Sequence, residues 1–269
     1  MKFFFRSALI IFALFAMGIS QLATAETLRV AFSCGYKPFN YRTASGELEG
    51  YDVDVAKGVL KIIGADMEPV CQKWDGMIPS LLANKFDLII ASMSITKSRL
   101  KKMDFSKPYR FSIGRLIGRK KANLQLFDFR NRPIADRFDG LKVGLERATT
   151  YAKWFAQELP NVKVVYYDTN PALYLDLENG RTDLIMTNPM KAHIKLLAKD
   201  NGKKFEFVSP AIDDVDIFGV GCGIGLRKGQ DKLLQRLNKA MVQLINDGSL
   251  EKYAYKYFPF PLHLDEWGQ

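Results

Sequence analysis

Two short segments of this 269-residue chain, Lys85-Phe-Asp-Leu-Ile-Ile90 and Arg181-Thr-Asp-Leu-Ile-Met186, look alike. Branched apolar runs of this kind suit strands buried on both faces of a parallel sheet. Both follow a helical pattern, at residues 75–84 and 171–179. The same alternation surrounds them. Residues 28–32 form a strand pattern, and residues 51–63 carry Val55, Val59, Ile62 and Ile63 at helical spacing up to Gly64. Residues 67–70 are a second strand. After a polar stretch at 119–139 the pattern restarts: strand 141–145, helix 149–159, strand 162–167. Strand and helix in alternation predict an α/β fold with parallel sheets flanked by helices. The restart predicts two similar lobes rather than one long sheet. Leu233, Leu234, Leu237, Met241, Leu244 and Ile245 then mark an amphipathic helix ending at Gly248, with a shorter helix at 250–257.

The amino terminus reads differently. Lys2 and Arg6 precede an apolar run over residues 7–19, and Ala23-Thr-Ala25 supplies small residues for a peptidase. That order describes a secretory signal peptide cleaved after Ala25, and the run is short for a membrane span. The formal charge is +10. Its basic residues are dispersed and do not interleave with aromatics, so they read as solvated surface charge rather than a nucleic-acid site. Three cysteines are too few for a disulfide scaffold. Cys34 ends the first strand and Cys71 the second. Neighbouring parallel strands could bring them together, and a bridge or three free thiols both stand open.

The chemistry is sparse. His193 and His263 have no companions at metal-ligand spacing, so no metal is expected. No nucleophile elbow or phosphate loop is present. Gly219-Val-Gly-Cys-Gly-Ile-Gly225 opens no helix, so it reads as close backbone packing in a strand or hinge rather than a dinucleotide loop. Small polar residues at strand ends remain. Ser92, Ser94 and Thr96 follow the 86–91 strand, with Arg99 close behind. Ligands in open α/β sheets bind beyond the carboxyl ends of strands, and an arginine fork there matches a carboxylate. Thr149 and Thr150 open a helix whose free N–H groups favour an anion. Tyr36, Phe39 and Trp74 sit in turns after strands.

These motifs occur together in one family. Glu49-Gly-Tyr-Asp-Val-Asp-Val-Ala56, Trp74-Asp-Gly-Met-Ile-Pro-Ser-Leu81, Ser92-Met-Ser-Ile-Thr-Lys-Ser-Arg99, Phe105-Ser-Lys-Pro-Tyr109, Gly223-Ile-Gly-Leu-Arg-Lys228 and Asp247-Gly-Ser249 appear in order. The chain resembles the periplasmic solute-binding proteins of polar amino-acid uptake systems, family 3, nearest to those for lysine/arginine/ornithine, histidine and opines. The resemblance implies a two-lobed type II periplasmic-binding-protein-like fold, with lobe one at 26–115 and 224–269 and lobe two at 116–223. Two hinge strands, at 115–119 and 223–227, would join them. It implies a monomer without cofactor that binds an amino-acid-like ligand between the lobes and docks, closed, on an inner-membrane ABC permease.

By the same resemblance Tyr36 and Trp74 sandwich the ligand side chain. Ser92, Ser94 and Arg99 hold the α-carboxylate with Thr149 and Thr150. Three departures follow. Ser33 stands where basic amino-acid binders have aspartate and opine binders glutamate. Asn188 stands at the α-ammonium aspartate. Leu60 and Met67 occupy the family's lobe-one disulfide positions. With Ser33 and Asn188 neutral, free lysine and arginine should bind poorly, and a neutral-tailed or N-substituted amino acid better. Glu146 either replaces the lost acids or pairs only with Arg147 or a surface lysine. A cyclohexadienyl-dehydratase-like enzyme on the same fold is the alternative, with Glu146 as its acid.

Overall fold

The computed structural model describes residues 26–122 and 124–269. The signal-peptide expectation lies outside the described residues. Two five-stranded sheets carry the chain. In the first, Ala65–Cys71, Glu26–Phe32 and Leu88–Ile89 run parallel, followed by Gly225–Leu226, antiparallel to its neighbours, and Asp104–Phe105. In the second, Lys163–Tyr167, Lys142–Glu146 and Leu184–Thr187 run parallel, followed by Arg115–Arg119, antiparallel to its neighbours, and Phe205–Phe207. The two-lobed α/β expectation therefore holds, with each sheet mixed rather than purely parallel.

Alternating side chains explain why each sheet has helices on both faces. Leu28, Val30 and Phe32 point to the side of the Tyr51–Ile63 and Asp231–Asn246 helices, whereas Ala31 joins the core under Met77–Leu82. In the second sheet Leu184 and Met186 meet the Thr150–Glu158 helix, and Ile185 faces Asn170–Glu178. The look-alike segments do the same job in both sheets. The Asp87 carboxylate accepts the Arg29 N–H, and the Asp183 carboxylate accepts the Lys142 N–H, each tying its strand to the one before it.

Between the sheets the chain crosses through residues 106–114 and returns through 208–224. The crossings touch at Arg110–Cys222 and Gly114–Ile212. The segments expected as hinge strands instead lie within the sheets: Arg115–Arg119 in the second, Gly225–Leu226 in the first. The glycine-rich run is part of this return. Gly219 holds φ 75°, and a Cβ there would overlap the Ile95 carbonyl oxygen, which accounts for a glycine where no helix opens. Asp75, where the helical pattern at 75–84 begins, lies inside a 3₁₀ turn, Trp74–Gly76, and the α-helix starts only at Met77–Leu82.

Parallel register pairs Phe32 with Cys71, so Cys34 two residues on reaches its sulfur. The Cys34–Cys71 bridge is formed, with Cα atoms 5.6 Å apart, and Cys222 is free and buried. We expect one thiol per chain in unreduced, unfolded protein. Cys34→Ser with Cys71→Ser should cost about 3–4 kcal/mol in denaturant unfolding, from the loop entropy returned to the unfolded chain.

Asp87 also binds the Arg29 side chain and Arg227, at 2.9 and 3.0 Å. Burial alone would push its carboxyl up. The hydrogen bonds from Arg29 and Arg227 outweigh that and pull it down to about 2. A depressed carboxyl stabilises the fold above its unfolded value and loses that contribution as pH falls through the folded one. Asp87→Asn should therefore cost about 1–2 kcal/mol at pH 7, after discounting for solvent at Arg29. In urea titrations the difference should shrink between about pH 4 and 2.

Candidate functional site

The parallel strands of both sheets end at one cavity of about 240 Å³. Ser33, Tyr36, Trp74, Ser92, Ser94 and Arg99 line it from the first lobe. Glu146, Thr149 and Thr150 line it from the second. Nine of the ten residues expected from the sequence are thus brought together. Asn188 is not on the wall. It is fully buried, and its Oδ1 accepts from the Met190 and Lys191 N–H groups to cap the Pro189–Ala192 turn. Its Nδ2 is buried with no partner.

Beneath the first-lobe wall lies a buried carboxylate, Asp52, in the first turn of the Tyr51–Ile63 helix. It accepts from Asn40 Nδ2 (2.6 Å), Ser92 Oγ (2.8 Å) and Tyr109 Oη (2.9 Å). Burial pushes its carboxyl up, and the Arg110 charge and these donors pull against that. The network settles what two expected ligand contacts can do. The Ser92 hydroxyl proton goes to Asp52, and its oxygen accepts from Arg110 Nε at 2.8 Å. Ser92 itself is held at φ 56°, its N–H bonded to Tyr109 Oη. Likewise the Ser33 hydroxyl donates to Asn40 Oδ1 at 2.7 Å. Ser94 Oγ is 2.6 Å from Ser112 Oγ, another wall residue.

Arg99 is 8% exposed and donates to the Ser94 carbonyl at 2.9 Å. Burial pulls it down to about 10, so it stays charged at neutral pH. Its other arm reaches Ala148 O of the second lobe at 3.4 Å, where Trp74 Nε1 also donates at 3.3 Å. The guanidinium stands 5.5 Å from the Trp74 ring. Opposite, Thr149 caps the Thr150–Glu158 helix by accepting the Ala152 N–H at 3.2 Å. The N–H groups of Thr150 and Tyr151 have no intrahelical acceptor, as at any helix start. An arginine on one lobe and a helix N-terminus on the other form a cradle for an anion.

Sequence reasoning missed two cations. Arg110 is 3% exposed and lines the cavity, directly after the Phe105–Tyr109 motif. Lys191 is buried behind Tyr36, with Nζ 4.0 Å from the ring centroid and no hydrogen-bond partner. Lys191, Lys195 and Lys199 repeat every four residues, the pattern of a solvated stripe, so nothing in the sequence set Lys191 apart. Glu146 lines the cavity, and the expected alternative of a pairing with Arg147 does not hold. Arg147 pairs with Asp168 instead, at 2.6 Å. Glu146 accepts from Asn170 Nδ2 and lies near Lys191. Burial pushes its carboxyl up, partly offset by Lys191 and Asn170. Among the described residues no group of three His, Cys, Asp or Glu could hold a metal ion. No described helix is long and apolar enough to cross a membrane.

Bacterial extracellular solute-binding proteins, family 3, match residues 28–260, and the chain belongs to that family. It is 32% identical over 253 residues to an L-arginine-binding protein of Pseudomonas aeruginosa, covering 93% of this chain and 95% of that one. It is 33% identical to a histidine-binding periplasmic protein of Salmonella typhimurium, covering 90% and 91%. Among solved structures, a Salmonella typhimurium periplasmic binding protein with high arginine specificity superposes with a TM-score of 0.77 at 28% identity. That match covers 87% of this chain and all of the other. The proteins so named are binding proteins.

Burial pulls the Lys191 ammonium down to about 7, against the opposing charge of Glu146. The unfolded chain keeps this proton to about pH 10.4. Below 7 both states are charged and the burial cost is complete. Between the two values the folded state has released its proton and the unfolded state has not, so stability rises with pH. Wild-type melting temperature should therefore gain on that of Lys191→Met between about pH 7.5 and 9.5. A constant gap across that window in calorimetric scans would mean that Lys191 is not titrating there.

Proposed function

As a member of family 3, this chain, we propose, is the exported solute-binding component of an ABC uptake system. It clasps an amino acid or amino-acid derivative between its lobes by the α-carboxylate. One observation carries this reading: the buried guanidinium of Arg99 and the open N–H groups of Thr150 and Tyr151 share one cavity wall to wall. Closure brings an arginine and a helix N-terminus onto the same anion. Neither lobe offers both, so ligand favours the closed form through its differential contacts. The lobes that move are residues 26–115 with 224–269, and 116–223. Tyr36 and Trp74 flank the ligand side chain, and Glu146 is the acid available to its ammonium.

The relatives named for arginine and histidine support an amino-acid ligand. The neutral Ser33 and the displaced Asn188 argue against a free basic amino acid, because a buried ammonium without a countercharge costs several kcal/mol. Cleavage after Ala25 delivers the chain to the periplasm as a monomer, and the closed form docks on its inner-membrane permease. The expected test begins with mass spectrometry of copurified ligand. Calorimetry with that ligand on Arg99→Ala should then show binding weaker by about 2–4 kcal/mol, since a buried carboxylate loses its charged partner. Unchanged affinity would remove the carboxylate clamp.

A further inference from the structure

The cavity holds more positive charge than one α-carboxylate needs. Arg110 shares its wall with Arg99 and is buried. Among the described residues no carboxylate forms an ion pair with it. Its side chain donates Nε to Ser92 Oγ and Nη1 to the Phe111 carbonyl at 2.6 Å, both neutral acceptors, and Nη2 makes no protein hydrogen bond. Asp52 reaches Arg110 only through Ser92, and its oxygens already accept from Asn40, Ser92 and Tyr109. Lys191, behind Tyr36, releases its proton near neutral pH and adds no fixed charge. Of the acids at the site, Asp52 already accepts from Asn40, Ser92 and Tyr109, Glu146 lies near Lys191, and Asp168 is paired with Arg147, so none pairs with Arg110. A buried guanidinium with a free arm in a cavity wall is a fork built for a planar anion.

We infer that the ligand carries a second carboxylate and that Arg110 receives it. This rests on the α-carboxylate reading of Arg99 and names the class of ligand that reading left open. A zwitterionic amino acid with a neutral tail leaves Nη2 of Arg110 without an acceptor. A cationic tail sets like charges against each other in a desolvated cleft. A second carboxylate, on the side chain or on an amine substituent, pairs with Nη2.

Titration calorimetry on the exported protein with matched pairs tests this: glutamate against glutamine, and N-(1-carboxyethyl)alanine against N-ethylalanine, with arginine as the cationic control. At least one dicarboxylate should bind about tenfold or more tighter than its partner, and the pair that discriminates shows which atom bears the second acid. Arg110→Gln should collapse that ratio towards one, and Arg110→Lys should restore part of it. The wild-type ratio stands as a test even if the variants fail to fold. Glutamine, N-ethylalanine or arginine binding as well as the dicarboxylates would overturn the inference and leave the α-carboxylate reading intact. No binding by any of the five would overturn both.

Discussion

The Asp52 carboxylate is the contact on which the first-lobe half of the site depends. It is fully buried, and three donors from three separate parts of the chain converge on it: Asn40 after the first turn, Ser92 after a central strand, and Tyr109 at the start of the crossing. A buried charge is tolerated only when its lone pairs are satisfied. Satisfying this one positions the groups around it. Asn40 turns its oxygen to the Ser33 N–H and hydroxyl. Ser92 is locked in a left-handed conformation and offers its oxygen to Arg110. The cavity wall is thus the outer surface of a polar network whose members rigidify one another.

Among the described residues the second lobe has no counterpart of that hub. Its contribution comes from a helix start, Thr149 capping the first turn, and from the Glu146 carboxylate near the buried Lys191. The lobes share a sheet plan, down to Asp87 and Asp183 gripping the neighbouring strand, yet they line the cavity with different chemistry. Lobe one presents guanidinium groups and aromatic faces, and lobe two presents backbone donors and a carboxylate. Because Trp74 and Arg99 both reach Ala148 O, the seam between the lobes runs through the site. The exposed Lys97–Asp216 pair adds little beside these buried contacts.

Periodicity was enough to read the twin α/β lobes and most strands and helices, because each follows from local patterns, and the ordered motifs carried the resemblance to the family. Nine of the ten positions expected at the site line one cavity, since strand ends and helix starts converge in this kind of sheet. What a hydroxyl or a charge does there was not legible. Ser33 and Ser92 spend their protons on Asn40 and Asp52, and Asn188 spends its oxygen on a helix cap. Only register decided that Cys34 meets Cys71, since the sequence left strand order open. Only packing turned Lys191 out of a solvated-looking stripe and Arg110 into the cavity. A side chain's hydrogen-bond capacity is written in its residue type. Which partner consumes that capacity, and which charges are left for a ligand, depends on residues distant in the chain that only the tertiary structure brings together.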